Sequence, residues 1–153
     1  MLKFEQLKSD NDLKEVIKAA FDADLSVSGA WGYTQALSTV IESTDIPVKQ
    51  LEHMLASMRT YIEMNMTLPE EERYGSINLN EIHREKKYVG KLVYDKVTYE
   101  ITAMKEETYT AFINEYKEGL GTDSFDITEH FSQRKKATIT RNEDYWFEVH
   151  QTL

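Results

Sequence analysis

A chain of 153 residues, 41% hydrophobic and 29% charged, can bury a core without disulfides or metals and is too apolar for a disordered chain. With no cysteine it excludes a disulfide framework, a thiolate metal site and a cysteine nucleophile. A net charge of −9 opposes non-specific binding to nucleic acid, which depends on cations that neutralise phosphates.

The opening residues, Met1 to Lys8, hold no apolar stretch and no small-residue cleavage site, so no secretory signal is expected. No run approaches the roughly 18–20 apolar residues that would span a bilayer. These features and the absence of cysteine predict a cytoplasmic protein that does not enter membranes. Only two prolines and six glycines occur, which leaves no linker composition and predicts a single domain over 1–153.

The first helix is announced by Ser9-Asp10-Asn11-Asp12, whose side-chain oxygens suit free N–H groups at a helix start. Leu13, Val16, Ile17, Ala20 and Phe21 then form one apolar stripe. A strand is predicted around Leu25–Ser28, a glycine turn at Gly29-Ala30-Trp31-Gly32, and a second strand within Tyr33–Ile41, with a helical turn over Ala36–Ile41 as the alternative. Pro47 fits the first turn of a long second helix, with Val48, Leu51, Met54, Leu55, Met58, Tyr61, Ile62 and Met66 on one face. Pro69-Glu70-Glu71-Glu72 ends it in a polar loop.

From Ile77 to Met104 the pattern turns to strands. Val97, Tyr99 and Ile101 alternate with Thr98, Glu100 and Thr102, and a hairpin turn is predicted near Asp95-Lys96. A third helix follows from Lys105, with Tyr109, Phe112, Ile113, Tyr116 and Leu120 as its stripe and Gly119 and Gly121 as its stop. Asp126 and Glu129 have capping-box spacing for a short helix over 126–133. A closing hairpin is predicted from Ala137–Thr140 and Tyr145–His150, turning through Arg141-Asn142-Glu143-Asp144. The order implies an α+β domain, a mostly antiparallel sheet with about three main helices packed on one face.

Three groups of residues carry chemistry worth testing. Glu81, His83 and Glu85 point one way on a regular strand, and an imidazole between two carboxylates can bind a divalent metal or move a proton. The plainer reading of this charged run is a solvated sheet edge, bent or bulged near Ile82. Trp31 and Tyr33, beside Gly29 and Gly32, can stack on a ligand or partner, although a glycine-shaped turn with Trp31 in the core is the commoner use. His130 and Arg134 share a helix face, which could receive an anion; a partly exposed helix-end histidine is the plainer expectation. His53 falls opposite the apolar stripe of its helix and reads as solvated.

Two basic clusters, Arg84-Lys86-Lys87-Lys91 and Arg134-Lys135-Lys136-Arg141, lie near Tyr88, Tyr94 and Tyr99, superficially a stacking sheet for single strands. The net charge and the lack of an RNA-recognition signature weigh against nucleic acid. No phosphate-binding glycine loop, nucleophile elbow, zinc helix or calcium loop is present, and no cofactor is implied. With nine tyrosines, a residue type favoured at interfaces, the chain reads as a small acidic module that binds another protein, by analogy of type with inhibitors, immunity factors and secretion chaperones. Self-pairing into a homodimer is open to the chain if an edge strand or the Met-rich helix face is exposed. The alternative is a metal-assisted or acid–base hydrolase using Glu81, His83 and Glu85.

Overall fold

The structure, a computed structural model, describes residues 4–153, so the reading of the N-terminus falls in part on residues 1–3, outside the described residues. Helix α1 (Leu13–Phe21) starts where Asp12 accepts a 2.9 Å hydrogen bond from the Lys14 N–H. Its stripe buries Leu13 and Ile17 fully. Strands β1 (Val27–Gly29) and β2 (Thr39–Ile41) pair antiparallel, and α2 (Val48–Tyr61) begins directly after Pro47. The helix widens into one π turn at Ile62–Met66, and a 3₁₀ turn at Glu70–Glu72 leads into the sheet.

Strands β3 (Tyr74–Val89) and β4 (Leu92–Lys105) form a long antiparallel hairpin. Its turn is Gly90-Lys91, not Asp95-Lys96. A two-residue hairpin loop needs positive φ, which Gly90 supplies at 61°. Asp95 and Lys96 lie inside the ladder opposite Lys86 and Glu85, so each charge meets its opposite across the strands. Helices α3 (Glu106–Gly119) and α4 (Ile127–Ala137) follow, α4 capped by the Asp126 carboxylate on the Glu129 N–H at 3.0 Å. The predicted short helix is thus longer than its spacing indicated. The chain then runs through β5 (Ile139–Glu148) into a final 3₁₀ turn, His150–Thr152.

The closing hairpin expected from the polar run at 141–144 is instead one continuous strand. Residues 139–148 pair along β4 without a break, Arg141 opposite Ile101 and Asp144 opposite Thr98. The polar side chains have partners in place: Asp144 accepts from Thr98 at 2.6 Å, and Arg141 reaches Glu63 at 3.3 Å. Nothing then drives that segment out to a turn.

The five strands are ordered β1-β2-β5-β4-β3, antiparallel except for the β2–β5 pair. This is an α+β fold with a mostly antiparallel sheet. Val97, Tyr99, Ile101, Tyr145 and Phe147 project from one face into a core closed by Leu13 and Ile17 of α1 and Leu51, Leu55 and Ala56 of α2. The register puts Lys96, Thr98, Glu100 and Thr102 beside Trp146, Asp144, Asn142 and Thr140 on the other face, a mostly polar surface. Four α-helices are present where about three main ones were expected, and the last two, α3 and α4, behave differently. No α3 residue is buried and only His130 of α4 is, so these two form a helical arm between β4 and β5. Among the described residues no helix is long and apolar enough to cross a membrane.

Candidate functional site

The face that α2 turns to the sheet is not its apolar stripe alone. Buried with Leu51, Leu55 and Met58 are Glu52, Arg59, Thr60 and, one turn on, Glu63. A charge taken out of water must be paired, and each of these is. The Arg59 guanidinium lies between the rings of Tyr33 and Tyr145, 3.8 Å from each centroid. It donates to Glu63 at 3.3 Å and to the backbone carbonyls of Trp31 and Asp144 at 3.4 and 3.3 Å. Glu63 also receives hydrogen bonds from Arg141 and from the Tyr33 hydroxyl. Burial, and then the Glu63 carboxylate, pushes the Tyr33 phenol well above its ordinary range, so it remains a donor. This cluster ties α2 to the 30–33 loop and to β5.

That network settles where Trp31 and Tyr33 go. Trp31 is 5% exposed, in the core as a glycine-shaped turn requires. A Cβ on Gly32, whose φ is +86°, would sit 2.9 Å from the Trp146 carbonyl oxygen. Tyr33 stacks on Arg59 and accepts the Leu7 N–H at 2.9 Å, both contacts within the chain.

A second buried polar group joins α2 to the β3–β4 hairpin. The Arg84 guanidinium is 2.7 Å from Glu52, 2.7 Å from Glu81 and 3.4 Å from Asp95. The Glu52 side chain is wholly buried and that of Asp95 nearly so. Desolvation first, and then the adjacent Asp95 carboxyl, push Glu52 up to about 8, with Arg84 opposing. Hydrogen bonds from Arg84 instead hold the more exposed Glu81 below its usual range. Lys49, Lys86, Val149 and Leu153 complete a cleft of about 300 Å³ over the group.

Glu81, His83 and Glu85 are not brought together. A bulge breaks the β3–β4 register between Glu81 and His83, so Glu81 lies opposite Tyr99 while His83 lies opposite Thr98. Glu81 therefore faces α2 with Arg84, and His83 and Glu85 face the polar side of the sheet. Glu85 lies 3.9 Å from Lys87. Among the described residues no cluster of three or more His, Cys, Asp or Glu could hold a metal. The expected metal set is corrected accordingly: the extra residue at the bulge reverses the parity on which it depended.

His130 and Arg134 also separate. His130 is 2% exposed rather than a half-exposed helix end, with Phe112, Tyr116, Phe125 and Phe131 around its ring and Glu115 3.0 Å from Nδ1. Arg134 lies over Tyr109 and Phe131 instead. The carboxylate beside the imidazole disfavours an anion, and the pair is the small core of the helical arm. His53 is exposed as expected, but its Nε2 lies 3.1 Å from the Leu79 carbonyl oxygen.

The surface that remains open is the outer side of β3. It is an edge strand of 16 residues that carries exposed Ile82 at the bulge and exposed Tyr88 and Val89 beyond it, beside Lys91 and beside Lys86 and Lys87, which pair with Asp95 and Glu85 at 3.0 and 3.9 Å. Of the three tyrosines that suggested a stacking platform, Tyr94 and Tyr99 are buried and only Tyr88, 71% exposed, stands free. Sequence reasoning missed Glu52, Arg59, Glu63 and Asp95. The one signal available was the i,i+4 spacing of Arg59 and Glu63, which marks solvated helix faces just as often.

The fold defines a two-layer α+β protein with one polar sheet face, a free long edge and a buried charged cluster between helix and hairpin. No known protein family, curated protein or solved structure matches the chain.

Proposed function

We propose that this chain is a protein-binding module whose β3 edge takes an acidic, extended segment of a partner. The observation that carries the reading is the edge itself. Outward-facing N–H and C=O groups of an edge strand accept a further strand, main-chain hydrogen bonds supply affinity, and side chains on alternate positions supply choice. Here the segment from the bulge to the turn combines exposed apolar groups with three lysines, of which Lys86 also pairs with Asp95, in a chain whose net charge is −9. A basic patch on an acidic protein favours an acidic partner segment and speeds its encounter. The bulge and the charged run shorten the pairable stretch, which protects the edge from indiscriminate self-association.

The test is affinity capture from the native host with wild-type protein and with Tyr88→Ala, Lys87→Glu and Ile82→Lys, followed by reconstitution with the purified partner. The reading expects a partner lost from all three variants and slowed amide exchange over 83–89 in the complex. A captured set identical for wild type and variants, or an edge whose exchange is unchanged by the partner, overturns it. Sedimentation of the protein alone separates self-pairing from binding of another chain.

A further inference from the structure

We propose that the Glu52 and Asp95 carboxyl groups hold one proton between them and act as an alkali-sensitive latch that fastens α2 to the β3–β4 hairpin. The geometry supplies the argument. Glu52 comes from α2 and Asp95 from β4, and Arg84 of β3 bridges them, donating to Glu52 Oε1 at 2.7 Å and Asp95 Oδ2 at 3.4 Å. The remaining oxygens, Glu52 Oε2 and Asp95 Oδ1, are buried and have no hydrogen-bond partner. Lys86 is 3.0 Å from Asp95 Oδ1 as an ion pair, but not in hydrogen-bonding geometry. The Lys86 ammonium compensates Asp95 Oδ1, which leaves the buried Glu52 Oε2 as the acceptor with no partner; an unpaired ionised oxygen there is costly, and a proton shared with the neighbouring Asp95 carboxyl removes that charge.

The surrounding charges fit this protonation state. From α2 come Lys49 and Glu52; from β3 come Glu81, Arg84 and Lys86; from β4 come Asp95 and the buried Tyr99 phenol. The C-terminal segment adds Val149, Thr152 and Leu153, which carry no ionisable side chain. Glu81 is already occupied by Arg84 and Lys49, at 2.7 and 3.8 Å. A second buried negative charge at Glu52 would draw on the same arginine that holds Asp95 and Glu81. Removing the proton therefore sets like charges against each other at the junction and loosens the turn-side half of the hairpin from the helix.

The sign follows from linkage. In the unfolded chain Glu52 ionises at its ordinary value near 4.5, and in the folded protein only at about 8. Between those values the folded state holds the extra proton, so stability falls as pH rises through the window and levels off above it. The experiment is denaturant unfolding of wild type, Glu52→Gln and Asp95→Asn from about pH 5 to about pH 9, with amide exchange over 80–97. The unfolding constant of the wild type should rise at least about tenfold across that range. Glu52→Gln, which carries its own N–H donors, should flatten that dependence and exceed the wild type in stability at the alkaline end. Infrared difference spectra should show a protonated carboxyl band at neutral pH that is missing in Glu52→Gln. If Glu52 is instead ionised in a four-membered network with Arg84, Asp95 and Lys86, that band is absent and the wild-type profile is flat; this result overturns the proposal. Should Glu52→Gln fail to fold, the infrared band of the wild type decides alone. Lys86 is common to the latch and the β3 edge, but the pH profile and infrared band are read on the protein alone, so their failure is distinguishable from failure to bind a partner.

Discussion

Replacing Arg59 with Met removes the charge at the centre of the α2 seam while keeping most of its length. Arg59 is 1% exposed, and its loss strands the Glu63 carboxylate, itself 2% exposed. Breaking a buried ion pair from one side costs about 3–5 kcal/mol, because the abandoned charge is left without compensation. Two tyrosine faces at 3.8 Å lose a cation as well, a contact worth about 2 kcal/mol when desolvated. Arg141, 3.3 Å from the other Glu63 oxygen, keeps part of the compensation, and the Met side chain recovers some packing. The net expectation is thus the lower end, about 3 kcal/mol. Urea unfolding read by tryptophan fluorescence should move the midpoint down by roughly 1.5 M for a slope of about 2 kcal/mol/M. Adding Glu63→Gln to Arg59→Met should restore a good part of the loss, since the stranded charge goes with it. A midpoint within about 0.5 M of wild type would mean that the seam does not depend on the pair, and would refute the reasoning.

Trp31→Ala should cost about 3–5 kcal/mol, the usual penalty for deleting a packed large aromatic, and an unchanged unfolding midpoint would contradict its burial. Gly32→Ala should destabilise the protein by about 1–3 kcal/mol, because a left-handed backbone and a 2.9 Å approach to the Trp146 carbonyl coincide there; thermal unfolding checks it. Gly90→Ala, with the same left-handed demand but open space around the Cβ, should cost only about 1 kcal/mol, so a loss equal to that at Gly32 would be unexpected. Asp126→Ala should remove about 1 kcal/mol from α4 and speed amide exchange in its first turn, leaving exchange in the sheet unaltered.

What is local in this protein can be read from the chain. Asp12 and Asp126 mark helix starts because a short carboxylate side chain satisfies N–H groups a few residues away. The alternation at Val97, Tyr99 and Ile101 identifies a strand with one buried face because side chains on a strand alternate sides whatever its neighbours. Gly29 and Gly32 identify a turn because left-handed backbone disfavours a Cβ.

What depends on a distant partner had no such mark. The polar run at 141–144 is a strand because β4 supplies a ladder for it and Thr98 and Glu63 receive its side chains. The separation of Glu81 from His83 comes from one extra residue in the β3–β4 register, and pairing register is a property of two strands. Glu52, Arg59 and Glu63 resemble the solvated face of a helix until Arg84, Tyr33, Tyr145 and Arg141 arrive from other elements. Helix periodicity is set by the backbone of α2 alone, but which face is buried is set by the free energy of pairing those charges, and the groups that pair them are up to 85 residues away along the chain. The sequence therefore determined where helices start and which runs are strands with one buried face, and the tertiary structure decided the pairing register, the continuity of β5 and which polar side chains became interior.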